Sequence, residues 1–138
     1  MYFLLRPEVA GQLGEETEMD TSVSPPRVDT LEYEFEDWLG DDLLETYPCF
    51  IVTEKLKKFL MASELSGFEI APVIVSKSDI FDDLYEGSEL PEFYWLKITG
   101  QPNDDFTLSP KAELIVSERC LNILKDFQLD NCEIENLQ

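Results

Sequence analysis

Phe50 to Ile70 aligns without a gap on Leu114 to Ile134, and a chain that carries one segment twice is constrained to build two matching units around it. FIVTEKLKKFLMASELSGFEI lies over LIVSERCLNILKDFQLDNCEI at a constant offset of 64, with identities at seven positions: 51/115, 52/116, 54/118, 60/124, 65/129, 69/133 and 70/134. Each copy reads as strand, helix, strand. Phe50 to Val52 and Leu114 to Val116 are short apolar runs rich in β-branched residues, which suits strands covered on both faces. Thr53 and Ser117 fall where a hydroxyl accepts from a first-turn amide, and Glu54 and Glu118 suit the positive end of a helix dipole. The apolar stripe 56, 59, 60 is matched by 120, 123, 124, an i, i+3, i+4 spacing that turns one helix face to a sheet. Gly67 and Asn131 share one repeat position beyond the helix and are residue types that tolerate a left-handed cap. Phe68 to Val75 and Cys132 to Ile134 are then the returning strands, with Pro72 marking an edge or bulge in the first.

The 138 residues, 43% of them apolar, suffice to bury one core. The expected fold is mixed α/β of the α+β kind: a single domain, residues 1–138, in which the two pseudo-repeats at 50–70 and 114–134 share a mainly β sheet packed by their helices. Tyr2 to Leu5, Leu31 to Phe35 and Phe93 to Thr99 supply further strands. Met1 to Leu5 is too short and too weakly basic at its start for a secretory signal, and no apolar run approaches membrane-spanning length. Cys49, Cys120 and Cys132 are odd in number and lack metal-ligand spacing, which fits buried free thiols in a reducing cytoplasm.

Charge is the second constraint. Thirty acidic residues against ten basic give a formal net charge of −20, far beyond the about 2 to 8 that solubility requires. The excess is uneven: residues 1–49 hold thirteen acids and two arginines, whereas Phe50 to Lys77 holds three acids and four lysines. In Asp29 to Glu36, DTLEYEFE, the alternation places Leu31, Tyr33 and Phe35 toward a core and Glu32, Glu34 and Glu36 toward solvent. Alternate strand residues are about 6.6 Å apart, so three carboxylates would form a self-repelling ladder that a basic partner relieves. Asp37 and Trp38 follow directly. Asp79 to Glu92, the acidic connection between the repeats, suits one short helical turn ended by Gly87 and Pro91, presenting Asp82, Asp83 and Glu86 beside Tyr85. Gly11 to Arg27 lacks a hydrophobic period and is expected to be a mobile acidic loop. Asp104 and Asp105 fit a turn before the second repeat.

The same inventory argues against catalysis. There is no histidine, so a Ser or Cys nucleophile lacks the commonest activating base, and no phosphate-cradling loop, calcium loop or cysteine knuckle is present. No enzyme activity, cofactor or metal site is expected. Direct nucleic-acid binding is opposed by the charge, because phosphate contacts need cations; Lys55, Lys57 and Lys58 read as the solvent face of the first helix.

The paired IVTE and IVSE junctions at Ile51 to Glu54 and Ile115 to Glu118, the FYWLKI strand at Phe93 to Ile98 and the NDDF loop at Asn103 to Phe106 resemble small acidic immunity proteins of bacterial polymorphic-toxin and contact-dependent or type VI secretion systems. The resemblance covers about residues 28 to 137. It implies a cytoplasmic protein, without membrane association, that binds a cognate toxin domain and blocks its active site or substrate groove. A basic toxin such as a nuclease would meet Glu32, Glu34, Glu36, Asp37, Asp82, Asp83 and Glu86, with Trp38 and Tyr85 as aromatic anchors. Two other classes share the charge: an acidic chaperone for a secreted effector, which would expose an apolar groove for an extended segment, and a DNA mimic directed at a DNA-binding protein. Oligomeric state is not legible.

Overall fold

The computed structural model describes residues 1–85, 87 and 89–137. Its elements in chain order are β1 (Tyr2–Arg6), β2 (Gly11–Leu13), β3 (Glu18–Asp20), β4 (Arg27–Thr30), β5 (Glu32–Phe35), β6 (Leu43–Thr46), β7 (Cys49–Thr53), α1 (Glu54–Ala62), β8 (Phe68–Ala71), β9 (Ile74–Lys77), α2 (Asp79–Leu84), β10 (Phe93–Ile98), β11 (Phe106–Leu108), β12 (Leu114–Ser117), α3 (Glu118–Leu124) and β13 (Glu133–Leu137). This is a strand-rich α+β arrangement. No helix among the described residues is long and apolar enough to cross a membrane.

The strands form two four-stranded sheets, ordered β6-β7-β10-β8 and β11-β12-β1-β13, a three-stranded sheet β2-β5-β9 and the hairpin β3-β4. The sequence expectation that both strand-helix-strand segments share one sheet is therefore corrected: each stands in its own. In the first, β10 lies between β7 and β8 and is antiparallel to both, with Trp95 opposite Ile51 on one side and Ala71 on the other. In the second, β1 takes the middle place, with Leu4 opposite Ile115 and Glu135. Hydrophobic period says which face of a strand is buried; it does not say which strand lies beside it.

β7 is buried along its whole length, and its alternation joins two cores. Phe50 and Val52 pack with Leu43, Leu56, Leu60 and Leu96, and with Leu5, Phe106, Leu114, Val116, Cys120 and Leu124 of the second sheet and α3. Cys49 and Ile51 point the other way, into a cluster with Leu44, Phe93, Trp95, the β5 residues Tyr33 and Phe35, and Phe81 of α2. β12 has only one such covered face: Leu114 and Val116 are buried, Ile115 half-buried.

Several local expectations need correction. Phe68 to Val75 is not one strand, because Pro72 divides it into β8 and β9, which belong to different sheets; proline has no amide to continue a ladder. Gly11 to Arg27 holds β2 and β3 rather than a featureless loop, with Gly11 opposite Phe35. Asn131 is not left-handed, since Ala112 is the positive-φ non-glycine among the described residues; Gly67 does have φ +96°. Gly67 is not a helix cap, for α1 ends at Ala62 and is capped at Ser63. A Cβ on Gly67 would lie 2.2 Å from the Phe106 carbonyl oxygen, so close backbone approach is what requires glycine there. Phe59, assigned to the buried helix stripe, is 47% exposed and meets Phe127 edge-on at 5.4 Å.

Candidate interaction surface

The β5 alternation delivers Leu31, Tyr33 and Phe35 to the core, but the carboxylate ladder on its other face is incomplete. Glu32 is only 7% exposed. One of its oxygens accepts from the Glu16 amide at 2.8 Å and the other from the Ser76 hydroxyl. Gly14 lies against it, where a Cβ would fall 2.1 Å from the Glu32 carboxyl carbon. The missing side chain lets the 14–17 segment cover Glu32, which becomes a fastener between β5, β9 and that segment rather than a surface charge. Glu34, half-buried, accepts from the Gln12 side-chain amide at 3.1 Å. Glu36 is also half-buried, and its amide donates to the Ala10 carbonyl at 2.9 Å.

Asp37, Trp38 and Tyr85 meet across a long stretch of chain. The Tyr85 hydroxyl donates to Asp37 Oδ1, the same oxygen that accepts from the Trp38 amide at 2.7 Å. The Asp37 carboxylate beside it holds the Tyr85 phenol above its ordinary pKa. Behind them, the Tyr85 ring lies tilted against Phe81 at 4.9 Å and Phe81 meets Phe35 edge-on. The Trp38 indole donates to the Asp41 carbonyl at 3.0 Å and presents an edge to Phe93. This fixes Trp38 as a half-buried anchor of its own loop. Asp82 and Asp83 are exposed on α2, whose start is capped by the Ser78 hydroxyl. Glu86 lies outside the described residues. The two acidic segments singled out from sequence thus converge at the β5 end and α2, minus Glu32.

An open groove of about 770 Å³ runs beside this end, along β9 and the 89–94 segment. Val73, Val75, Leu90 and Phe93 supply apolar wall, and Asp82, Glu89 and Glu92 supply carboxylates. Lys77 also lines the groove. Lys55, Lys57, Lys77 and Lys97 lie over the rings of Phe127, Tyr94, Phe81 and Trp95. Arg6, Arg27, Lys58 and Arg119 pair with carboxylates.

Sequence reasoning missed a group of buried acids that hold the molecule together. Asp42 accepts from the Thr53 hydroxyl at 2.7 Å and from the Gln128 amide at 2.8 Å. Asp105 accepts from the Ser117 hydroxyl at 2.6 Å and from the Ser66 amide at 3.0 Å. Thr53 and Ser117 are the N-caps of α1 and α3, while Ser66 and Gln128 follow those same helices. Each aspartate therefore joins the start of one helix to the loop after the other. Asp41 adds a clasp, accepting the backbone and side-chain N–H groups of Asn131 at 2.9 and 3.1 Å. Arg119 adds two more donors to Asp105, at 3.0 and 2.8 Å, and its guanidinium holds that carboxyl far below the ordinary range. The legible signal was an Asp-Asp pair before an apolar residue ahead of each of the two aligned segments, Asp41-Asp42-Leu43 and Asp104-Asp105-Phe106.

Two glutamates, Glu8 buried and Glu45 half-buried, lack such compensation. Glu8 accepts from the Leu39 amide at 2.8 Å, but its other oxygen has no hydrogen-bond partner among the described residues. Burial raises its pKa, and Asp41 and Asp37 add to the shift. Burial, reinforced by Glu113 against the opposing pull of Arg6, lifts Glu45 to about 7. Burial also pushes the Cys49 and Cys132 thiols up to about 12. No known protein family, curated protein or solved structure matches this chain.

Proposed function

We propose that this protein is a cytoplasmic immunity protein that binds a cognate toxin domain with a basic surface, such as a nuclease, and occludes the site where phosphates would sit. It does so as a binding protein, without catalysis, cofactor or direct nucleic-acid contact. The observation that carries this reading is the convergence of Glu34 to Trp38 with α2 at one end of the molecule, joined by the Tyr85 to Asp37 hydrogen bond. Unbalanced carboxylates raise the encounter rate with a cationic surface, and desolvated aromatic anchors slow dissociation. The internal match of 50–70 with 114–134 is read as a duplicated unit, with β10 and β1 in equivalent middle positions.

The test is co-expression with the products of adjacent genes, followed by pull-down and a growth assay. Recovery of a toxic domain whose lethality is relieved by this chain supports the reading; absence of any rescue overturns it. With such a domain in hand, reversing Glu34 and Glu36 to lysine is expected to slow association by about tenfold at low salt and to flatten its salt dependence. Both carboxylates are half-buried, so thermal unfolding must show the variant folded. An unchanged association rate removes these two residues from the interface. The groove beside β9 favours a second reading, an effector chaperone, for which the same pull-down returns a nontoxic secreted substrate.

A further inference from the structure

We infer that the groove along β9 receives an extended basic segment of the partner, laid as an added strand on the open edge of the three-stranded sheet. The inference rests on the reading of the acidic end as a docking face for a cationic protein, and it specifies how that face is engaged. β9 is the terminal strand of its sheet and pairs with β5 alone among the described strands. The Ile74 and Ser78 amides donate to the carbonyls of Leu31, just before β5, and of Phe35, its last residue. By the two-residue period of a strand, Val75 between them turns its own N–H and C=O to the opposite, open side. An exposed edge of this kind is a template for strand addition, in which main-chain bonds supply affinity and pockets for alternate side chains supply specificity.

The groove has both parts. Val73, Val75, Leu90 and Phe93 line it as apolar wall that accepts every second side chain of an extended segment. Glu89 and Glu92 stand along the same wall and Asp82 approaches from α2, three carboxylates against the ammonium of Lys77, so side chains that point away from the apolar surface meet a net negative lining. The complementary ligand alternates apolar and cationic residues. An acidic segment would be repelled, and a purely polar basic segment would leave the apolar wall solvated.

The probe is a set of three synthetic peptides presented to the full-length, isotope-labelled protein: alternating valine and lysine, the same lysines with serine for valine, and alternating valine and glutamate. Binding is read by amide chemical-shift mapping at physiological salt. The valine-lysine peptide is expected to shift the amides of Val75 and Phe93 first and to bind at least tenfold more tightly than the serine-lysine peptide, with no binding of the glutamate peptide. Val75→Pro removes the edge N–H on a strand that tolerates proline, and is expected to weaken binding at least tenfold. Glu89→Lys with Glu92→Lys, which lies on exposed chain, is expected to do the same. Equal affinity for the first two peptides, or shifts mapping to other acidic surfaces, overturns the groove as a docking site. Either result leaves the rescue experiment untouched, so failure of the groove and failure of the immunity reading are told apart.

Discussion

Asp42 and Asp105 face almost the same demand and meet it differently. Both carboxylates are buried, both take the hydroxyl of a helix N-cap, and both take an amide from the loop after the other helix. Asp105 has in addition the two-pronged guanidinium of Arg119. The residue matching Arg119 in the first segment is Lys55, and its ammonium lies over the Phe127 ring at 5.6 Å instead. Asp42 is thus held by neutral donors from its own surroundings. The difference teaches that the brace depends on directed N–H and O–H groups, and that the ion pair is an addition to it rather than its basis.

The largest effect should come from removing either carboxylate. Asp42→Ala and Asp105→Ala each leave a hydroxyl and an amide without their acceptor and are expected to cost about 3 kcal/mol in urea unfolding. A loss confined to one of them would break the parallel. Next is Arg119→Gln, expected to cost clearly less than either aspartate at neutral pH because Arg119 is largely exposed and its ion pair is screened by solvent. Asp105 has its folded pKa depressed, so its contribution is fully present above the unfolded carboxylate value of about 3.9 and is lost as pH falls below it. Arg119→Gln raises that folded pKa, so acid unfolding monitored by circular dichroism should move to higher pH. An unmoved midpoint would assign the depression to the hydroxyl and amide donors alone. The smallest effect is expected from Lys55→Ala, about 0.5 kcal/mol for an exposed cation over a ring; a cost equal to that of Arg119→Gln would erase the distinction between the two braces.

The strands β7 and β12 were legible because Ile51 and Val52, like Ile115 and Val116, are apolar and β-branched. The caps were legible because Thr53 and Ser117 each precede a glutamate. The braces were not, since in a chain with thirty acids an adjacent Asp pair carries no visible weight until its donors are placed beside it. Glu32 was misassigned for a related reason: it sits at the polar phase of a clean alternation, and only the bare backbone of Gly14 reveals that something can lie over it. Asp37 and Tyr85 were legible only as members of two separate acidic segments; their meeting was not, because it depends on the Phe35 to Phe81 contact. Sheet membership escaped because the middle strand of each sheet comes from a different side of its unit, β10 after and β1 before.

That last arrangement sets the order in which the molecule can assemble. β10 reaches its neighbours within one stretch of chain, so the first sheet can close while synthesis is under way. β1 is made well before the partners it waits for, since Tyr2 pairs with Ser117 and Leu137. Contacts of such long sequence separation slow folding toward the millisecond-to-second range. Until they form, Tyr2 to Leu5 is an unsatisfied apolar strand that a nascent chain must keep from pairing with another copy of itself.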